Sequence, residues 1–229
     1  MIGINDDIGD VDAIIIPGTR NSTQDAYELH QSGLAEKIIE KASQIPIIGI
    51  CGGFQILGEE IIDEEKKESK QGTIKGLGLL PITSEFKREE KIVTQSKAII
   101  PDDLEGIAGE MFKNIAGEKV TGYEIHEGTS NLINCKALLE IEKGQGNDEN
   151  GDVDGACHEN ILATYFHGIF NNYNFRREFL NYLRAKKGLE IQTGEDPYEA
   201  QKSYSLNKLA EIVEENLDMN IIDELIFSN

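Results

Sequence analysis

The chain is predicted to be an α/β protein in which a mostly parallel open sheet is flanked by helices and carries an antiparallel extension. Three observations predict it. The short apolar runs Ala13 to Ile16, Pro46 to Ile50 and Ile161 to Phe166 read as strands buried on both faces. Amphipathic helical patterns separate or follow these runs. The middle of the chain holds shorter segments that read as hairpin strands rather than as crossover units. At 229 residues and 39% hydrophobic composition, there is enough apolar material for one sizeable domain.

The first run closes on Pro17-Gly18, a turn. Asn21 or Ser22 can cap a helix reaching about Gln31, because a side-chain oxygen there accepts from the first free amides of the helix. Gly33 breaks it, and Leu34, Ile38, Ile39 and Ala42 then share one helical face. The strand Pro46 to Ile50 runs straight into Cys51, and the pattern after Cys51 predicts a helix to about Ile62. Glu64 to Lys70 is a charge run and reads as solvated. Gly72 to Leu80 reads as a tight connection. Ile92 to Ser96, Gly122 to His126 and Ala137 to Ile141 read as strands, and Lys143 to Asp154 as a polar, flexible hairpin loop without the closing Glu of a calcium loop. After the strand ending at Phe166, Phe175, Phe179, Leu180 and Leu183 mark a helix that stops near Gly188. A further helix covers about Leu206 to Leu217, and Ile221 to Phe227 is a short apolar tail.

Lys plus Arg number 22 and Asp plus Glu 42, a formal charge of −20. Such a surface repels phosphate backbones and anionic membranes, which argues against nucleic acid as a partner. No apolar stretch approaches the roughly 20 residues of a membrane-spanning helix. Cys51, Cys135 and Cys157 are odd in number and irregularly spaced, so they read as reduced thiols of a cytoplasmic protein, with neither a disulfide frame nor a metal site.

The densest chemical signal is Gly49-Ile50-Cys51-Gly52-Gly53-Phe54-Gln55: an apolar strand, a cysteine, two glycines and a helix. This is the sequence form of a nucleophile elbow, where glycines let a strained turn pass close to neighbouring backbone. The positive end of the helix is expected to favour the thiolate. A thiol nucleophile needs a base. Of the four histidines, His30 reads as a surface residue and His158 lies beside the polar loop. His126 and His167 each sit at a strand end beside glycine, and the residues alone do not choose between them. Backbone amides at Gly18 and Gly52 are candidates for holding a developing oxyanion. Strand ends in open α/β sheets converge, which gives Gly18, Cys51 and His167 a reason to meet.

Gly49-Ile50-Cys51-Gly52-Gly53-Phe54-Gln55 resembles the G-x-C-x-G-x-Q nucleophile motif of class I glutamine amidotransferases. Four further blocks resemble the cobyric acid synthase branch: Pro17 to Ser22, Gly76 to Pro81, Gly122 to Gly128 and Thr164 to Asn172, the last followed by Phe175-Arg176-Arg177. They occur in the family's order over nearly the whole chain. The resemblance implies a class I glutamine amidotransferase-like, flavodoxin-like fold. It also implies one CobB/CobQ-type domain over residues 1–229, with a helical tail over about 189–229. Its implied chemistry is glutamine hydrolysis by a Cys–His dyad. Cys51 is the nucleophile, His167 the base and then acid, Gly18 and Gly52 the oxyanion hole, and Gln55 and His126 substrate-binding residues. The ammonia would serve ATP-dependent amidation of adenosylcobyrinic acid a,c-diamide in cobalamin biosynthesis. ATP, magnesium and the corrinoid would bind a synthetase domain or subunit outside this chain, so the chain itself is expected to need no cofactor.

Three departures qualify the resemblance. His167 is followed by Gly168-Ile169 where most triad-type relatives have Pro-Glu, so what orients the imidazole is open. No G-x-x-x-x-G-K-[ST] phosphate loop occurs, as expected if the synthetase domain is absent. Only about a dozen residues precede the first strand, where the family usually has a further strand and helix, so that strand is expected to present a raw sheet edge. Other readings are an amidotransferase subunit for cell-wall precursors, a hydrolase with a cysteine elbow, and a non-catalytic remnant. Glutamine hydrolysis, ester cleavage or neither separates the catalytic readings from the remnant.

Overall fold

The computed structural model describes residues 1–86 and 91–227, and the chain divides into two units, Met1–Ile191 and Gln192–Asn229. Residues 228 and 229 of the expected C-terminal tail lie outside the described residues. The first unit is built on three four-stranded sheets.

Strands β1 (Ile14–Ile16) and β2 (Ile47–Ile50) form the parallel heart of the first sheet. Between them run helices α1 (Ser22–Ser32) and α2 (Leu34–Lys41). The Asn21 side chain accepts from Gln24 N–H and starts α1, and Gly33, at φ 75°, ends it in the left-handed conformation that glycine adopts without cost. After β2, α3 (Gly52–Leu57) is only six residues long. The helix expected to reach Ile62 stops at Gly58, whose backbone is extended, and the apolar pair Ile61-Ile62 belongs to a strand, β3 (Glu60–Ile62).

Strand β3 pairs with β4 (Ile74–Lys75) and with β5 (Ile82–Glu85). Next come β6 (Ile92–Ile99), α4 (Gly106–Phe112) and β7 (Lys119–His126). Strand β8 (Thr129–Leu132) completes the sheet of β3 to β5. Strands β9 (Leu139–Lys143) and β10 (Val153–Asp154) join β6 and β7 in an all-antiparallel sheet, ordered β10-β9-β6-β7. Strands β11 (Ala156–His158) and β12 (Ile161–Thr164) return to the first sheet, ordered β1-β2-β12-β11, where β12 lies parallel to β2. Helix α5 (Tyr173–Lys186) closes the unit. The antiparallel extension therefore comprises most of two sheets, and the parallel core is the three strands β1, β2 and β12.

The core explains the apolar runs. Side chains alternate across a strand, and Ile47, Ile161 and Ala163 face one buried cluster with α1, α2 and α3, whereas Ile48 and Leu162 face a second with α4 and α5. Both faces of the sheet are thus covered by helices. Strand β1 is an outer strand of its sheet, with Ile15 47% exposed.

In the second unit, α6 (Pro197–Asn216) starts nine residues before the expected Leu206. Asp196 caps it by accepting from Tyr198 N–H, with Pro197 in the first turn. The apolar tail is a helix, α7 (Met219–Phe227). Among the described residues, no helix is long and apolar enough to cross a membrane.

Candidate active site

Cys51 stands between the end of β2 and the start of α3, at φ 53° and ψ −109°. A positive φ at a non-glycine residue costs of order 1–3 kcal/mol and persists only where surroundings impose it. Here Cys51 N–H donates to Thr164 O at 2.8 Å, and Cys51 O accepts from Phe54 and Gln55 N–H. The elbow is also closed from behind. A methyl on Gly53 would lie 2.1 Å from Ile16 O, and one on Gly52 would lie 2.4 Å from Thr19 Cγ2. Glycine is required at both positions because β1 and its turn pass directly behind Cys51.

The turn after β1 brings Gly18 to the front. A methyl there would come 2.7 Å from His167 Cε1 and 3.5 Å from Cys51 Cβ, so Gly18 lies close to both side chains. His167 follows the end of β12 and is bridged to β7: its N–H donates to Tyr123 O at 2.9 Å, and Tyr123 N–H donates to its carbonyl at 3.1 Å. Gly18, Cys51 and His167 thus meet at the strand ends and line a cavity of about 520 Å³, together with Gln55, Tyr123 and His126. A cavity of about 380 Å³, which also touches Pro17, Gly18 and Thr19, is lined mainly by isoleucine and leucine.

The two histidines differ in a way their sequence contexts do not reveal. His126 is buried, with Nδ1 2.9 Å from Gly128 O and Nε2 3.1 Å from Glu124 Oε2. Its ring also stacks on Tyr165 at 3.8 Å between centroids. Both ring nitrogens face oxygen acceptors, so neither is left to take a proton from a thiol. The His167 ring has no hydrogen-bond partner among the described residues, so its nitrogens are available. Geometry therefore leaves ring nitrogens free to accept a proton on His167 and not on His126, which is part of the floor. Burial first, and His126 second, lower the pKa of His167 from its ordinary value, so the ring is a neutral acceptor near pH 7.

Cys51 differs from the expectation of a favoured thiolate. Its thiol points at Ile125 O, 3.5 Å away, and burial pushes it up to about 11 despite the Gly52 amide and Lys91, which pull it down. Three turns of helix are not present behind it, and a six-residue helix cannot outweigh desolvation. The resting pair is a neutral thiol beside a neutral imidazole.

Gln55 is buried, and its amide nitrogen donates to Tyr165 Oη at 3.3 Å. Tyr165 Oη pairs with Ser130 Oγ, which pairs with Ser84 Oγ, so a chain of hydroxyls runs beneath the cavity. Asp154, also buried, accepts from Thr164 Oγ1 and Tyr165 N–H, and burial pushes its carboxyl up to about 7.

Several of these residues escape a sequence reading. Glu124 is fully buried and accepts from Ser96 Oγ, His126 Nε2 and the amides of Gln145 and Gly146. Burial alone would raise its carboxyl, but these donors prevail and hold it at about 2. The available signal is its position two residues before His126 on one strand, which puts both on the same face. Lys143 to Asp154 is correspondingly no free loop. Gln145 and Gly146 are anchored on Glu124, and the buried Asn147 clamps Gly155 through both its amide oxygen and nitrogen.

Glu124→Gln is expected to destabilise the chain by about 3 kcal/mol, because an amide offers one oxygen to four donors and buries an NH₂ among them. A urea titration at neutral pH measures this; an unchanged midpoint contradicts it. The sign with pH follows from the lowered pKa. Stability from Glu124 is full above about 4.5, the ordinary value, and is lost as pH falls toward about 2.

Comparison with known proteins identifies the family of the chain. Residues 2–175 match the CobB/CobQ-like glutamine amidotransferase domain. A probable cobyric acid synthase of Methanothermobacter thermautotrophicus is 44% identical over 227 residues, covering 99% of this chain and 44% of that protein. One from Methanosphaera stadtmanae is 45% identical over 228 residues, with coverage of 99% and 44%. The cobyric acid synthase of Dehalococcoides mccartyi strain BAV1 is 41% identical over 219 residues, with 94% and 42% covered. The chain thus spans less than half the length of these curated relatives. Among solved structures, PurLQS from Thermotoga maritima aligns with a TM-score of 0.58 at 22% identity over 80% of this chain and 84% of that one, a likeness of fold. With three quarters of its length matched by the family and an elbow cysteine facing a histidine at the strand ends, the chain belongs to the CobB/CobQ-like glutamine amidotransferase family.

Proposed function

We propose that this chain is the glutamine-hydrolysing part of a cobyric acid synthase. The observation that carries the reading is the strained Cys51 elbow facing His167 across Gly18 in one polar cavity. Glutamine enters with its side-chain amide over Cys51. The thiol turns from Ile125 O toward the imidazole, His167 takes its proton, and Sγ attacks the amide carbon. The Gly52 amide, which already faces the sulfur, and the turn at Gly18 hold the oxyanion. The C–N bond breaks as His167 returns the proton to nitrogen, leaving ammonia and a γ-glutamyl thioester. Water, deprotonated by His167, then releases glutamate and restores the thiol. Gln55 and His126 support the cavity wall rather than reacting.

The ammonia serves ATP-dependent amidation of adenosylcobyrinic acid a,c-diamide in a synthetase domain or subunit. That partner would bind ATP, magnesium and the corrinoid. The likeness to cobyric acid synthases over nearly the whole chain supports this assignment. The test is glutamate release from glutamine by the chain alone and mixed with the remaining part of a cobyric acid synthase expressed separately. Release raised by the partner supports the reading; no release in either case overturns it.

The protonation states give a pH profile. His167 acts as a neutral base and its pKa is lowered, so the acidic limb of kcat/KM is expected to be centred below about 6.5, the ordinary histidine value. A limb centred above that value contradicts the assignment of His167.

A further inference from the structure

We propose that Tyr123 is the positioning residue of this site: its backbone and its ring hold the His167 imidazole against Gly18, the task an acidic partner performs for many catalytic histidines. The proposal rests on the glutaminase reading for its kinetic consequences, though not for its geometry.

Three buried or partly buried acids near the site are committed elsewhere. Glu124 serves four donors, Asp154 serves Thr164 and Tyr165, and Glu68 accepts from Ser22 Oγ and Thr23 N–H. Among the described residues, none of them bonds His167. Tyr123 instead contacts it twice. The paired backbone bonds, 2.9 and 3.1 Å, fix the Cα of His167 relative to β7. The rings then stack, 5.1 Å between centroids and 11° from parallel. Gly18 packs close to the Cε1 corner of the ring, since even a methyl there would lie 2.7 Å from Cε1. The imidazole is therefore stacked on a phenol face and packed close to a glycine at Cε1, contacts that restrict its side-chain torsions.

The neighbouring glycines make this arrangement possible. A side chain at Gly122 would meet His167 O at 2.8 Å and Phe166 Cδ2 at 3.0 Å, so only glycine lets β7 approach this closely. Gly168, at φ 76°, turns the chain away immediately after the histidine. Holding a ring by its faces differs chemically from holding it by an edge. An acid occupies one nitrogen and stabilises the imidazolium, whereas a stacked phenol leaves both nitrogens available and covers the ring from water. That cover matches the lowered pKa of His167, whose first cause is burial.

Tyr123 is 41% exposed, so its substitution leaves the core intact. The experiment compares Tyr123→Phe, which keeps the stack, with Tyr123→Thr, which keeps strand propensity but removes the ring. Kinetics on glutamine and the ¹³C–¹H resonance of His167 Cε1, assigned with His167→Gln, are followed against pH. Tyr123→Phe is expected to stay within about twofold of the native chain in kcat. Tyr123→Thr is expected to lose roughly 10- to 100-fold in kcat with KM nearly unchanged, the signature of a misplaced base. Its His167 proton moves downfield as the ring current is lost, and its titration midpoint rises. If Tyr123→Thr does not fold, Tyr123→Leu gives the same readout.

Two results overturn the proposal. One is a His167 resonance and midpoint that do not move when the ring is removed. The other is an equal loss of kcat in Tyr123→Phe, which would assign the effect to the hydroxyl. If the native chain hydrolyses no glutamine, the functional reading fails, and the His167 resonance still decides whether Tyr123 holds the ring.

Discussion

Cys51→Ala is expected to reduce glutamine hydrolysis by about 10⁴-fold or more while shifting unfolding by less than about 1 kcal/mol. The size of the loss follows from covalent catalysis: without sulfur no thioester forms, and the remaining oxyanion donors act only on an uncatalysed attack by water. The small stability change follows from what the thiol does at rest. It donates a weak hydrogen bond to Ile125 O and faces the Gly52 amide, and alanine fills most of the same space. Backbone strain is unchanged, since alanine inherits φ 53° at the same cost. Glutamate release measured beside a thermal melt checks both halves. Activity within tenfold of the native chain would place the nucleophile elsewhere.

Gly53→Ala is expected to cost about 4 kcal/mol or more and to abolish activity together with the fold. Its Cβ would lie 2.1 Å from Ile16 O, 2.8 Å from Ile16 C and 3.0 Å from Pro17 O. These are backbone atoms of β1 and its turn, so no side-chain rotation relieves the contact. Relief requires β1 to part from α3, which opens the cluster that holds Ile16, Ile47 and Phe54 together and moves Gly18 away from Cys51. A urea midpoint measures it; a midpoint within about 1 kcal/mol of the native chain would show that the elbow tolerates a wider turn. This position separates the elbow from an ordinary strand–helix junction, where alanine would be preferred to glycine inside the helix.

The parts of the fold written in local chemistry are legible in the sequence. Asn21 as a cap, Gly33 as a break, the apolar runs of β1, β2 and β12, and the glycines around Cys51 each follow from a property of their own residues. The elements that depend on distant partners are not. Ile61 and Ile62 continue a helical spacing from Phe54 and Leu57, and only pairing with β4 and β5 makes them a strand. Thr129–Leu132 holds one apolar residue and becomes β8 because Ser130 pairs with Ser84 across β5.

The site divides in the same way. Cys51, Gly18 and His167 are found by residue type at strand ends. The choice between the two histidines requires knowing that Gly128 O and Glu124 occupy His126. Thiol protonation likewise depends on burial, which a motif does not report.

The anchored segment after β9 has a practical consequence for anyone modifying this protein. Gly146 and Asn147 are buried, whereas Glu149 and Asn150 face solvent, so Asp148 alone separates a foundation of the active site from an exposed tip. An epitope or fluorescent label grafted between Glu149 and Asn150 leaves the clamp on Gly155 untouched. The same graft placed before Gln145 removes the amides that neutralise Glu124 and loosens His126 from below. A stretch with the composition of a linker is thus usable as an insertion point only at its outermost turn.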